Sequence, residues 1–283
     1  MKIVATGDIH YDLIRDRKEQ EAFLRFLEGL ESERPDVLVL TGDTVGLGHS
    51  KLEACLESFR MVSPVRLMVF GNHDYWSPEG DTFRHLELLK TRIKNCGFQL
   101  LDEKPEVIDG IGFAGNCSWY DYSFAPPEVP PRSSYEKKIF RGHIIWNDLH
   151  FVRLGKTDAE YTNELIEKLE ADIFKLESEV DQIITVTHHI GFIEMLTTRE
   201  DFPGWNFCNA FMGNSRLGDM LLRHPKVRCH ICGHTHDQKV VKKEHLVSIN
   251  PGSTYDEKKF LSLVVTKDGS VQSIKSGGTE VQL

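Results

Sequence analysis

Short apolar runs alternate with amphipathic stretches along the first hundred residues. Residues 3–5 read as a buried strand, and 19–31 carries Phe23, Phe26, Leu27 and Leu30 at helical spacing. Residues 36–40 predict a second strand, and Leu52, Cys55, Leu56 and Phe59 mark a second helix. Residues 65–70 predict a third strand, and 83–96 a third helix that Gly97 stops. This rhythm predicts a parallel sheet with helices packed on it. From 97 to 116 the pattern changes to short strand-like pieces broken by Asp109-Gly110, which suggests a hairpin. Asp158 then reads as the cap of a helical pattern reaching about Val180. Residues 183–186 and 227–231 predict strands, with a short helix near 217–222 between them. The tail, 239–274, reads as further strands with a turn at Lys267-Asp268-Gly269.

The stretch 117–157 follows neither period. It holds Trp119, Tyr120, Tyr122, Phe124, proline pairs at 126–127 and 130–131, and basic and aromatic residues to Trp146. With no repeat or composition break elsewhere, residues 1–283 read as one domain with an insertion at about 117–157. The insertion is either a lid that brings Asn116, Trp119, Arg141 or His143 to a site, or a packed surface element.

At 283 residues, 40% hydrophobic and 27% charged, the chain is an ordinary globular protein that needs no disulfide scaffold. Its net charge of −9 argues against nucleic acid as a partner, because no overall positive field would hold a phosphate backbone. Six irregularly spaced cysteines suit a reducing compartment. No apolar run is long enough for a membrane span, and an apolar strand starting at residue 3 leaves no room for a signal peptide. A cytoplasmic protein with no membrane partner is therefore expected, its oligomeric state open. Cys229 and Cys232 lack a second cysteine pair and read as buried small hydrophobes. The lysine pairs at 137–138, 242–243 and 258–259 read as solvated faces.

The chemistry gathers where strands end. Five apolar runs lead into Gly7-Asp8-Ile9-His10, Gly42-Asp43, Gly71-Asn72-His73-Asp74, Thr187-His188-His189 and Gly233-His234-Thr235-His236. Beyond the carboxyl ends of sheet strands lies the usual ligand crevice, so these clusters can converge although far apart in sequence. Asp8 and His10 are two residues apart, as are His234 and His236, which in an extended segment puts each pair on one face. Alone, Asp8 or Asp43 would be a turn cap, Asn72 a turn residue and His188 a core histidine. Together they form a mixed carboxylate, imidazole and amide set suited to Mn, Fe or Zn rather than to an all-oxygen Mg or Ca site. Seven such groups are too many for one ion and right for two that share a carboxylate.

In these motifs, in this order, the chain resembles the calcineurin-like metallophosphoesterases, and Asn250-Pro251-Gly252-Ser253 is similar to a segment that follows the last motif in that family. The resemblance implies a two-sheet β-sandwich flanked by helices, an α/β (α+β) fold, with a dinuclear centre at one edge. It implies one divalent metal held by Asp8, His10, Asp43 and His236, and a second by Asp43, Asn72, His188 and His234, Asp43 bridging. No other cofactor is implied. It further implies hydrolysis of a phosphoester by a hydroxide bridging the two metals. His73 would be the catalytic group that steadies the transition state and protonates the leaving oxygen, and Asp74 would fix its tautomer. His188 is assigned rather than His189 because it adjoins the strand; His189 would point elsewhere, substrate being one candidate.

Protein phosphatases of the superfamily carry Asp-Arg-Gly after the second motif and an arginine before Gly-Asn-His. Here Thr44-Val45-Gly46 and Phe70 stand there, so both phosphate-clamping arginines are missing. The expected substrate is a small phosphoester, a diester before a monoester. A DNA exonuclease-like phosphodiesterase and a non-catalytic protein-binding scaffold of the same fold are the alternatives.

Overall fold

The computed structural model describes residues 1–126, 135–199, 201–266 and 271–281. The turn expected at 267–269, and Pro127, Pro130 and Pro131, lie outside them. In chain order the strands are β1 (Lys2–Thr6), β2 (Val37–Leu40), β3 (Val65–Met68), β4 (Gln99–Leu100), β5 (Glu106–Ile108), β6 (Ile111–Asn116), β7 (Ile139–Phe140), β8 (Ile144–Ile145), β9 (Ile183–Thr187), β10 (Val227–Ile231), β11 (Lys239–Lys243), β12 (Leu246–Asn250), β13 (Leu261–Val265), β14 (Val271–Ser276) and β15 (Thr279–Glu280). The α-helices are α1 (Arg17–Ser32), α2 (Leu52–Ser58), α3 (Thr82–Asn95), α4 (Asp148–Phe151), α5 (Asp158–Glu177), α6 (Pro203–Asn209) and α7 (Ser215–Leu222).

Two sheets carry the fold. One is ordered β15-β14-β13-β1-β2-β3-β4 and the other β11-β12-β10-β9-β6-β5. The βαβαβ start gives the parallel run β1-β2-β3, as its rhythm predicts. The tail, read only as strands, divides between the sheets: β12 pairs with β10 in the second, while β13 pairs antiparallel with β1 in the first. Period-2 burial explains the layering. Ile3, Ala5, Val37, Val39 and Leu67 face Ile184, Val186, Cys229, Ile231 and Ile249 between the sheets. The alternate residues Val4, Leu38, Leu40 and Met68 face Phe23, Leu27, Leu56 and Leu89 of the helices outside. On the other flank Ile183 and Val227 pack with Leu169, Ile173 and Leu221 of α5 and α7.

Local chemistry sets most boundaries. α1 starts on a capping box formed by Asp16 and Glu19, and buries the four apolar residues expected of it. The hairpin turn falls on Asp109-Gly110, both at positive φ, between Ile108 and Ile111, which pair across it. α5 corrects one expectation. Its N-cap is Thr157, with Glu160 completing a capping box, and Asp158 is the first helical residue. The Asp158 carboxylate turns inward to accept from Trp119 Nε1 at 2.8 Å, from the Tyr122 hydroxyl and from Lys138 Nζ. Lys138 is thus buried rather than solvated. Cys229 and Cys232 are buried and unpaired, and burial pushes the Cys229 thiol up to about 12, so they act as small hydrophobes. A register shift between Val227 and Cys229 lets the first face the helices and the second the other sheet. No helix among the described residues is long and apolar enough to cross a membrane.

His230, on β10, is buried between the Thr187 hydroxyl at 2.8 Å and the Ser248 hydroxyl at 2.9 Å, and burial lowers its pKa to about 3. Below its ordinary value of about 6.5 the unfolded chain takes up a proton that the folded one refuses. Its stability contribution is therefore complete above pH 6.5 and lost as pH falls toward 3, by about 1.4 kcal/mol per pH unit. Urea unfolding between pH 6 and pH 4 should show His230→Gln with a slope shallower by about that amount. Equal slopes would count against it.

Candidate metal centre

All seven expected ligand residues meet at the carboxyl ends of five strands. β1 runs into Asp8 and His10, β2 into Asp43, β3 into Asn72 and His73, β9 into His188, and β10 into His234 and His236. They do not meet on extended backbone. Asp8, His10, Asp43, His234 and His236 all have left-handed φ, from 44° to 71°. Each such residue costs about 1–2 kcal/mol, strain of the kind that collects at functional sites. Main-chain bonds between loops hold it: the Asp8 amide donates to the Gly42 carbonyl and the His10 amide to the Asp43 carbonyl, both at 3.0 Å. Gly71 packs so closely that a Cβ there would lie 2.1 Å from Asp43 Oδ1. Gly42, at φ 95°, sits where a Cβ would meet the Gly71 amide at 2.5 Å.

Three overlapping groups that could hold an ion result, of which Asp8-His10-His236 and Asp43-His188-His234 match the two expected ligand sets, and His10-Asp43-His73 lies between them. Asp43 Oδ2 joins them, lying 3.4 Å from His188 Nε2 and 3.8 Å from His10 Nε2. Asn72 Oδ1 stands 3.1 Å from His188 Nε2, which is 3.0 Å from His234 Nδ1, and His236 Nε2 is 3.8 Å from Asp8 Oδ1. Buried polar atoms nearly always find a partner, yet His10 Nε2 and Asp43 Oδ2 have none, and His234 and His236 each keep one free ring nitrogen. Converging, buried, orphaned donors of these types fit divalent transition metals.

The electrostatics agree. Burial raises the Asp8 carboxyl despite His236 and His188 beside it. Burial would also raise Asp43, but the His188 and His73 rings drive it well below the usual carboxylate range. His10 and His234 are pushed down by burial and stay neutral, the form in which imidazole binds metal. His188 Nδ1 donates to the Thr41 carbonyl at 2.7 Å, which leaves Nε2 facing the cluster.

His73 stands beside the two ligand sets with 17% of its side chain exposed. Its Nε2 lies 3.9 Å from Asp43 Oδ2, and its ring stacks on Trp76 at 3.8 Å. Asp74 differs from its expected role. Its Oδ2 accepts from the Gly71 amide at 2.7 Å and the Asp43 amide at 3.1 Å, so it anchors the loops around Asp43 rather than the His73 ring. Burial and the neighbouring Asp43 raise its pKa well above the ordinary value. His189 is fully buried, with Nδ1 bonded to the Cys117 carbonyl at 2.9 Å.

At the insertion, the residues named for a lid do not reach the ligand groups. Trp119 is a core residue, Asn116 Nδ2 donates to the Leu165 carbonyl, and Arg141 and His143 are exposed. What it brings to the site is Trp146 and Asp148. Buried Asp148 accepts from Asn72 Nδ2 at 2.9 Å, Trp76 Nε1 at 2.7 Å, Tyr120 Oη at 2.9 Å and Trp146 Nε1 at 2.8 Å. It thereby fixes the Asn72 amide with Oδ1 toward His188. Sequence spacing holds no trace of this, since Asn72 and Asp148 are 76 residues apart. Asp148→Ala strands four donors. It should weaken metal binding about 10–100-fold by chelator competition and lower the unfolding free energy by about 3 kcal/mol or more. Unchanged metal affinity would show that Asn72 orients itself.

A cavity of about 340 Å³ opens beside these residues, lined by Asp43, His73, His234 and His236 and by Trp146, Leu196, Trp205 and Met212.

Comparison with known proteins bears on this geometry. The model of a family described as calcineurin-like phosphoesterase matches residues 1–238. No curated protein matches the chain. Among solved structures, the phosphopantetheinyl hydrolase of Mycobacterium tuberculosis is similar with a TM-score of 0.68 at 17% identity, covering 89% of each chain. A dimetal phosphatase from Danio rerio gives 0.57 at 13%, covering 99% of this chain and 98% of its own. A 5′-nucleotidase precursor from Thermus thermophilus gives 0.52 at 13%, covering 99% of this chain and 54% of its own. At such identities the likeness is one of fold.

Proposed function

Because this chain belongs to the calcineurin-like phosphoesterase family, and so is a hydrolase with a dinuclear divalent metal centre, we propose that it cleaves small phosphoesters, diesters in preference to monoesters. Asp8, His10, Asp43 and His236 would hold one ion, and Asp43, Asn72, His188 and His234 the other. Mn, Fe or Zn suits these donors. Bound there, two cations supply an acidified water and Lewis-acid stabilisation of phosphoryl charge.

The observation that carries the reading is the convergence of two ligand groups on one unpartnered carboxylate oxygen, Asp43 Oδ2. The residues have distinct tasks. Asp43 sets the spacing of the two groups, and Asn72, held by Asp148, presents an oxygen to the second. His73, facing the cavity, is the group that gives a proton to the leaving oxygen. The diester preference rests on missing cations. Phe70 is buried in the helix-side core where a clamp arginine would stand, and no lysine or arginine is among the described residues lining the cavity. A dianionic monoester thus lacks the bidentate grip that a monoanionic diester does without. A reducing, cytoplasmic setting suits the six free cysteines.

The test is hydrolysis by Mn²⁺-loaded protein of bis-p-nitrophenyl phosphate and p-nitrophenyl phosphate. At least about a tenfold higher kcat/KM for the diester is expected, a margin worth roughly 1.4 kcal/mol. Turnover of neither would overturn the activity, and a monoester preference would overturn the diester assignment alone.

A further inference from the structure

We propose that the cavity beside the candidate metal centre is a binding site for a flat, uncharged, apolar ester group. The natural substrate would then be a phosphoester carrying an aryl or similarly planar apolar group and no second anionic group. This rests on the phosphoesterase reading above.

The cavity's floor is the reacting centre, since Asp43, His73, His234 and His236 all line it. Its remaining wall is unusual for a phosphate-handling protein. Trp146, Leu196, Trp205 and Met212 line it and are each only half-buried, so apolar surface is left open next to a strongly polar cluster. Such placement of apolar surface favours a ligand that spans both environments. The indoles are also fixed in place. Trp146 donates to Asp148 at 2.8 Å and stacks on Phe211 at 5.0 Å and 6° between planes. Trp205 donates to the Thr197 carbonyl at 2.7 Å, with the Arg199 guanidinium stacked on its ring at 4.0 Å. Rigid aromatic walls need little ordering when a planar group enters, which keeps the binding gain.

Charge narrows the ligand further. Apart from histidines, the ionisable side chains lining the cavity, among the described residues, are the carboxylates Asp43 and Asp237, the Tyr255 phenol and the Cys208 thiol, which burial keeps neutral. Asp237 is itself engaged, accepting from the Thr197 hydroxyl, and Lys239 Nζ donates to that hydroxyl at 3.0 Å. No lysine or arginine is among the described lining residues. Behind the wall, Arg199 is engaged over the Trp205 ring and Lys239 on the Leu196 carbonyl and Thr197 hydroxyl, so polyphosphates and acidic esters are selected against. The volume of about 340 Å³ takes a phosphoryl group together with one ring system.

The experiment compares phenylphosphonate with methylphosphonate, which share the metal-directed group and differ in the apolar one. Binding to the Mn²⁺-loaded protein is followed by calorimetry and by quenching of tryptophan fluorescence, so it does not depend on turnover. Phenylphosphonate should bind at least about tenfold more tightly, as burial of one ring provides. The ratio should fall below about threefold in Trp205→Ala and in Leu196→Asp, whose fold is checked by circular dichroism and metal content. If methylphosphonate binds in a Mn²⁺-dependent way but phenylphosphonate binds no better, or if both variants keep the preference, the pocket assignment is overturned and the metal reading stands. If neither phosphonate binds, both fall.

Discussion

Asp43→Asn should leave a folded protein that retains less than one metal ion per chain and has lost at least about a thousandfold in phosphoester hydrolysis. Asparagine is the informative substitute because, like aspartate, it tolerates the left-handed backbone at this position, φ 53°. What changes is charge. Asp43 Oδ1 accepts from the His73 amide at 2.9 Å, and the other oxygen faces both ligand groups without a partner. An amide there brings no charge to two cations. Loss of charge also weakens the metal-free fold. Asp43 repels Asp8 and Asp74, but against burial the His188 and His73 rings hold its carboxyl well below the usual carboxylate range, so its ionised form favours the folded state. The metal-free variant should therefore melt below the metal-free parent. Only the parent should gain on Mn²⁺ addition, by roughly 7 °C per site at a thousandfold excess over Kd. Two ions per chain with activity within tenfold of the parent would sink the assignment.

His73→Gln should do the reverse, keeping two ions while losing about 10²–10⁴ in rate. The amide that ties residue 73 to Asp43 is main-chain and survives, whereas the ring between Trp76 and His10 is gone. A proton donor matters in proportion to the basicity of the oxygen it serves. The loss should thus be near the lower bound for p-nitrophenyl esters and near the upper for alkyl esters. A loss independent of the leaving group would make His73 a charge-stabilising group instead.

The convergence of the candidate ligand residues was legible because each sits in a short motif at a strand end, where residue type and order carry the chemistry. Helix faces such as that of Phe23, Phe26, Leu27 and Leu30 were legible because burial has a period. Other features have no period. The partition of the tail between two sheets depends on which edge is open, the opposite facing of Val227 and Cys229 on a bulge. The inward turn of Asp158 depends on three donors from the insertion. The left-handed backbone of five site residues was hidden for another reason. Aspartate and histidine tolerate it better than most residues but adopt other conformations far more often, so their identity does not announce it.

The origin of the two ligand groups has a mechanical side. Asp8 and His10 leave one sheet while His236 leaves the other; Asp43 and Asn72 leave the first while His188 and His234 leave the second. Each group therefore straddles the sandwich, and filling both sites would bolt the sheets together at one rim. Packed sheets resist separation through their shared apolar layer but resist sliding past one another far less. A pair of bolts along one rim blocks that shear. Amide exchange should then slow on metal loading in a gradient, most at the carboxyl ends of β1, β2, β9 and β10 and least at the edge strands β5 and β11.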